Sequence, residues 1–416
     1  MARSTRPFLW LLARGDNSMT RAEKILARGC GRDKVCPGEI VEVPVDRMMV
    51  HDNNGALVIE SFGGIADASV KSPEKAAFFI DHHSPSTAVK AVRHHDTMRR
   101  FAKRHGIKRF YDCGCGISHV VMLEENLARA GEIVVGTDSH TTGEGAEGAF
   151  AVGIGATEMA AVLATGRIWF KVPQTVRVVC EGALTKNSRA RDFMNLVLSR
   201  FGPEGANYCS VEFQGNGAAS LSLDDRIMCC VMSMEMGAKN ATFVPSPDSG
   251  AEYARTERFV LDNIESNVAV PPLPTNVQPL SHIASLKIRV NQAFIGSCAG
   301  GLLSDIQKAA EVLRGERVAE GVRLLVIPAS RKIYGAALSL GYLQTLHEAG
   351  AVISSPACGA CGGHDVGVLA KDEVCIANSP RNMDGRMGAG GKVYLGSAAT
   401  VAASAVAGHV TAEASL

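Results

Sequence analysis

The chain has 416 residues, 46% of them hydrophobic and 20% charged, with a formal net charge of +1. That length suits about two to four domains, and 43 glycines imply many tight turns. Interspersed, balanced charges argue against a dedicated nucleic-acid or membrane-surface protein, and no apolar run reaches the about 18 residues of a membrane span.

In chain order, Phe8-Leu9-Trp10-Leu11-Leu12 is a short apolar run flanked by Arg3, Arg6 and Arg14. It admits a reading as a crude signal or transit peptide. The preferred reading is a disordered tail over residues 1–18, with a helix-like pattern starting at Thr20. Without a credible secretory signal, the 12 cysteines favour reduced thiols and metal chemistry over disulfides, which suits a cytoplasmic protein.

Residues 40–45 read as an early strand, with Pro44 placing it at an edge. Residues 76–80 are continuously apolar, as in a strand buried on both faces, and end in Asp81-His82-His83. A helix is expected over 88–105 and a strand over 109–111. Residues 133–135 form another buried strand, ending in Gly136-Thr137-Asp138-Ser139-His140. The Gly/Ala-rich segment 145–166 predicts tightly packed helix. Pro173 marks a junction before a strand over 176–180, and Cys229-Cys230 sit among apolar neighbours as inert core. Pro271-Pro272-Leu273-Pro274 reads as a linker. After it come a strand into Cys298, a helix opening at Ser304 with Gln307 completing a capping box, and strands over 322–327, 352–353 and 393–395. The repeated form of strand, polar tip and helix predicts an α/β protein of three units, over 19–173, 174–270 and 271–416. Chemistry is expected at the tips, beyond the carboxyl ends of the strands.

The strongest chemical signal is the pair Cys358 and Cys361 on a glycine-rich loop, with Cys298 in a second small-residue loop. Thiolates are soft ligands suited to zinc or to iron–sulfur iron. Three protein ligands leave a position open for water or substrate, whereas a closed structural site takes four. His364 offers that closed alternative, a Cys3His zinc site, and residue chemistry alone does not choose between them. Cys113 and Cys115, near His119, admit a second metal site.

Asp81-His82 and Asp138-Ser139-His140 each pair an imidazole with a carboxylate, which raises its pKa and fixes its tautomer. Taken singly, His82, His119 or His140 reads more simply as a histidine satisfied at a strand end. Three of them at loop tips point to a site. Arg381 and Arg386 suit bidentate grip of carboxylates, against the plainer reading of a solvated turn. Glu235 lies in an apolar stretch, where burial is costly unless it is paired.

In this order His51-Asp52, Asp81-His82, Gly116-Ile117-Ser118-His119, Gly136-Thr137-Asp138-Ser139-His140-Thr141, Gly296-Ser297-Cys298, Cys358-Gly359-Ala360-Cys361-Gly362-Gly363 and Arg381-Asn382 with Arg386-Met387-Gly388 resemble motifs of the aconitase superfamily. Within it the resemblance is greatest to the branch of 3-isopropylmalate dehydratase and homoaconitase large subunits, and it runs from Met19 to the C-terminus. It implies three α/β/α sandwich units around a central cleft. It also implies a [4Fe–4S] cluster held by Cys298, Cys358 and Cys361, whose free iron acts as a Lewis acid on the departing hydroxyl. By the same resemblance His82 with Asp81 protonates that hydroxyl, His119, Asp138 and His140 shape the pocket, and Glu235 lies near the bound water. Ser139, Arg381 and Arg386 would hold substrate.

The family's serine base belongs to a swivelling domain, expected here on a separate small subunit. The implied activity is a hydro-lyase acting on a 2-hydroxy di- or tricarboxylate, 3-isopropylmalate by default, as in leucine biosynthesis. The alternatives are a paralogue hydrating maleate, citraconate or dimethylmaleate, and a non-catalytic iron- or redox-sensing scaffold. The chain departs from the family pattern at Ala299-Gly300, Pro380, Val231 and Thr142-Gly143-Glu144-Gly145, and these departures bear on the substrate.

Overall fold

Short runs of buried apolar residues become the strands of three largely parallel sheets. The computed structural model describes residues 18–185, 188–244, 250–363 and 366–415, so the expected tail up to residue 17 and His364 lie outside the described residues. In the first sheet the strand order is Arg109–Tyr111, Ala76–Phe79, Arg47–His51, Ile133–Gly136 and Phe150–Gly153, all parallel. The strands Ala76–Phe79 and Ile133–Gly136 are buried at every position, as expected of strands covered on both faces. Ile40–Pro44 pairs only with Arg167–Lys171, as an antiparallel ribbon, so Pro44 does lie in an edge strand.

The second sheet orders Asn240–Phe243, Ser210–Gln214, Thr175–Glu181 and Arg255–Val260, again all parallel. The third has seven strands, with Gln292–Ile295 in the middle of its five parallel ones. Arg323–Val326 and Val352–Ile353 lie to one side of it, and Val374–Ala377 and Lys392–Leu395 to the other. The antiparallel strands Asn267–Ala269 and Val277–Pro279 close one edge.

Three expectations need correcting. The segment 145–166 is not one helix: it holds the end of the 3-10 turn Ser139–Glu147, the strand Phe150–Gly153 and the helix Ala156–Thr165. Its glycines allow close packing, but Phe150, Ala151 and Val152 are buried in the sheet. The residues Pro271–Pro274 are the turn between two paired strands and not a linker. The helix Leu303–Val312 is capped two residues earlier than expected, by Leu302 and not Ser304, with Asp305 accepting the Leu302 N–H at 3.3 Å. Gln307 instead donates to Glu311 one turn on.

The first and third sheets are doubly wound, and such sheets bind ligands where the strand order reverses. In the first, the order reverses between Arg47–His51 and Ile133–Gly136, whose ends lead into His51-Asp52 and Thr137-Asp138. In the third it reverses between Gln292–Ile295 and Val374–Ala377, whose ends lead into Gly296-Ser297-Cys298 and Asn378-Ser379-Pro380-Arg381. Backbone bonds tie the tips together: Ile117 N–H donates to Ala329 C=O at 2.8 Å, and Cys358 N–H to Asp81 C=O at 2.8 Å. One buried cluster runs through all three sheets and includes Phe79, Phe213 and Val326. Among the described residues no helix is long and apolar enough to cross a membrane.

Candidate active site

The site begins with Asp52, the first residue of the helix Asp52–Gly63. Its carboxylate accepts the His82 and His83 N–H groups at 3.0 Å each and lies 3.0 Å from His95 Nε2. These bonds shape the turn after the strand Ala76–Phe79. Burial opposes the charge on Asp52, but the contacts with His82 and His95 hold its carboxyl well below the usual carboxylate range. Asp81 is held in turn by Ser118 N–H at 2.7 Å, and its other oxygen lies 2.8 Å from His82 Nδ1.

His82 therefore has Asp81 on one nitrogen and Asp138 on the other, 3.4 Å from Nε2. Burial works against its charge, yet the two carboxylates lift its pKa well above the ordinary histidine value. His51 stacks against it, ring centroids 4.5 Å apart, and is pushed down by burial and by the His82 charge. Asp138 joins the wall together. Its Oδ1 accepts the His140 N–H at 2.7 Å and lies 3.2 Å from His119 Nε2. His119 Nδ1 lies 3.1 Å from Glu144 Oε1. Despite burial, Glu144 and Asp138 lift His119 to about 10.

A second chain of contacts links this wall to the third sheet. His140 Nε2 lies 2.9 Å from Glu235 Oε1, and the same oxygen accepts Arg381 Nε–H at 2.7 Å. Arg381 also donates to Ser139 Oγ at 3.1 Å. Glu235 is thus the paired carboxylate its apolar neighbours required. Its pKa is lowered by His140 and Arg381 although burial alone would raise it.

His140 Nδ1 is 3.9 Å from Cys298 Sγ, and Arg386 Nη2 is 3.9 Å from Cys361 Sγ. Cys298, Cys358 and Cys361 are all buried and free of disulfides. A hydrogen bond from Cys358 and the Arg386 charge, working against burial, lower the pKa of the Cys361 thiol.

The donor set fits an iron–sulfur cluster better than a single ion. Tetrahedral zinc, with Zn–S near about 2.3 Å, needs its ligand atoms under about 4 Å apart. The three sulfurs do not gather within 4.8 Å of one another; among the described residues only His51, Asp52, Asp81 and His82 do. The oxygens of Asp52 and Asp81 in that group already accept N–H bonds. Cys113 instead lies 3.0 Å from Ser84 Oγ, and no group containing Cys113, Cys115 and His119 meets the same spacing.

His82, Asp138, Ser139, Arg381, Arg386 and Gly362 of the thiol loop line one cavity of about 740 Å³. Asp81, His82, His119, Asp138, Ser139, His140, Glu235, Arg381, Arg386 and the thiols Cys298, Cys358 and Cys361 lie in or beside this constellation, whereas His364 lies outside the described residues. Sequence reasoning missed the weight of Asp52 as organiser and overlooked Asn378 and Arg191. Asn378 donates to Gly300 C=O at 2.7 Å and accepts the Gly296 N–H at 3.1 Å, bracing the Cys298 loop. A side chain at residue 300 would overlap Asn378, so the glycine there belongs to this brace. Arg191, 5% exposed, donates to Asn378 C=O at 2.9 Å and Ser379 C=O at 2.6 Å, just before Arg381. The i, i+4 spacing of Arg191 and Asn195 on one helix was the available signal; they bond at 3.2 Å.

Imidazolium–carboxylate pairs facing two arginines and a trio of soft ligands equip this cavity to take water from a hydroxy acid. The chain belongs to the aconitase family: the family model described as aconitase family (aconitate hydratase) matches residues 23–260 and 244–408. It is 42% identical over 412 residues to the 3-isopropylmalate dehydratase large subunit 1 of Methanopyrus kandleri, covering 94% of this chain and 98% of that one. It is 38% identical over 413 residues to the 2,3-dimethylmalate dehydratase large subunit of Eubacterium barkeri, covering 94% and 98%. Among solved structures, Thermococcus kodakaraensis aconitase X in its holo-form shares the fold, with a TM-score of 0.54 at 14% identity, covering 86% of this chain and 88% of that chain.

Proposed function

We propose that this chain is the catalytic large subunit of a two-subunit hydro-lyase. It would act on a 2-hydroxy dicarboxylate of the 3-isopropylmalate type and carry a [4Fe–4S] cluster on Cys298, Cys358 and Cys361. The observation that carries the reading is the single cavity where His82, both arginines and the edge of the thiol loop meet. When bound, such a cluster with one open iron supplies a Lewis acid that polarises the substrate hydroxyl.

The chain's own residues do the rest. Arg386 Nε–H is buried without a hydrogen-bond partner among the described residues, a cost that a substrate carboxylate would remove. Arg381, braced by Glu235 and Ser139, presents its remaining donors to a second carboxylate. His82, held as imidazolium by Asp81 and Asp138, gives its proton to the departing hydroxyl, which leaves as water. The carbon–carbon double bond forms as a base removes the proton α to a carboxylate. That base, a serine, comes from the separate small subunit.

The relatives' names as large subunits support the two-subunit form. Support for a second substrate reading, dimethylmaleate-type hydration, comes from the Eubacterium barkeri relative together with the departures at Val231, Gly300 and Pro380.

Anaerobically prepared protein should be brown, with a visible charge-transfer band that Cys298→Ser abolishes. A colourless protein carrying stoichiometric zinc would overturn the cluster assignment. A panel of hydroxy acids assayed with the reconstituted two-subunit enzyme should rank isopropylmalate first; dimethylmalate ranking first would establish the second reading.

A further inference from the structure

His119, 2% exposed at the start of the helix Ser118–Glu124, has a carboxylate at each ring nitrogen. Asp138 Oδ1 lies 3.2 Å from Nε2 and Glu144 Oε1 lies 3.1 Å from Nδ1. A neutral imidazole carries one N–H, so it can donate to only one of them and would set its lone pair against the other. Two such contacts at hydrogen-bond distance call for a proton in each, and with Asp138 and Glu144 both ionised those protons lie on the two ring nitrogens. Burial raises the Glu144 pKa, while the His119 charge lowers it. Glu144 is fully buried, and burying a carboxylate costs several kcal/mol unless a cation accompanies it. His119 is that cation.

The packing around Glu144 is matched to this role. A side chain at Gly143 would fall 2.8 Å from Val231 Cγ2 and 3.8 Å from His119 Cβ. The missing side chain at 143 and the apolar Val231 together let the Glu144 segment lie against the histidine. Three of the chain's departures from its family's pattern are therefore one local arrangement behind His119. The other ionisable groups facing the pair are His140, its ring edge-on at 6.3 Å from His119, and the Cys230 thiol near Glu144.

We propose that Glu144 is a positioning residue that holds His119 doubly protonated and, through it, fixes Asp138 against His82. Glu144 does not line the substrate cavity; it acts along the line Glu144, His119, Asp138, His82. Without its charge His119 keeps one proton and can leave Asp138 Oδ1 facing a lone pair. Asp138 then loses the orientation that steadies the His82 cation. The link to turnover rests on the assignment of His82 as the acid, whereas the protonation state of His119 does not.

The test uses the full chain labelled with 15N-histidine, with His119→Asn to assign the signals. At about pH 8, above the ordinary histidine value of about 6.5, both His119 nitrogens should resonate as imidazolium. In Glu144→Gln they should separate into one protonated and one bare nitrogen, and Glu144→Asp should retain the imidazolium signature. In the two-subunit enzyme Glu144→Gln should lower kcat about tenfold with KM little changed and move the alkaline limb of the kcat profile to lower pH, with Glu144→Asp recovering most of the rate.

A neutral His119 in the native protein overturns the proposal, even if Glu144→Gln does not fold. So does an imidazolium signature that survives Glu144→Gln. An unchanged kcat profile overturns the coupling to His82. Absence of turnover in the native enzyme would count against the hydro-lyase reading and leave the ring-nitrogen result standing.

Discussion

Among single residues, Asp52 has the widest reach, because its carboxylate fixes the backbone that presents His82. Its pKa is depressed, so its contribution to stability is fully present above the unfolded-state value of about 3.9 and is lost as the pH falls below that. Asp52→Asn sets an NH2 group against backbone N–H donors and leaves buried partners unpaired, which costs about 3–5 kcal/mol. The gap in stability between native and Asp52→Asn should stay level from about pH 5 to pH 8 and narrow below about pH 4. Urea unfolding across that range checks it, and a gap that widens in acid would contradict the assigned charge. His119 has the opposite sign. Its pKa is raised to about 10, so what it adds is complete below about 6.5 and fades as the pH climbs toward its folded value. Asp81, His82, Asp138 and His140 were legible as residues because imidazole beside carboxylate at a strand end is a chemical pattern. Glu144 was visible only as a departure, since nothing in the order of residues brings it to His119.

At the level of elements, legibility followed burial. Ala76–Phe79 and Ile133–Gly136 could be read because strands covered on both faces have no polar interruptions. Arg47–His51 passed unnoticed because methionine is a weak strand signal and the run begins with arginine. Phe150–Gly153 was hidden inside a small-residue segment that suits helix packing equally well. The helix Ala190–Phe201 was missed entirely, and it matters for the site: Arg191 and Asn195 reach from it toward the arginine loop. Arg191→Met keeps the bulk but leaves the carbonyls of Asn378 and Ser379 without their donor. Each unpaired buried group costs about 1–3 kcal/mol, so thermal stability should fall. The loop that carries Arg381 should also lose its aim, raising KM more than it lowers kcat in the two-subunit enzyme. A variant that unfolds earlier but binds substrate as before would make Arg191 a purely structural residue.

The whole molecule places two strand-order reversals opposite each other. One contributes His51, Asp52, Asp138 and His140, with His82 and His119 from the neighbouring strands, and the other the Cys298 loop and Arg381. The three units read from the sequence share buried surface. Met49, Ala77 and Phe79 of the first sheet, Phe193 and Phe213 of the second unit, and Ala293 and Val326 of the third belong to one continuous buried cluster. Separating the units would expose these faces, and apolar surface returned to water costs roughly 25 cal/mol per Å². Buried hydrogen bonds from Arg191 in the second unit to the Asn378 and Ser379 carbonyls in the third cross between units as well. Large chains of several units commonly unfold in steps. Here the shared core predicts a single transition for the full chain, with calorimetric and van't Hoff enthalpies in agreement. A fragment covering 18–173 alone should expose the Met49, Ala77 and Phe79 face, bind a hydrophobic dye and aggregate. Two resolved calorimetric transitions, or a monomeric fragment that unfolds cooperatively, would mean that the units hold together on their own and that the site is assembled by docking.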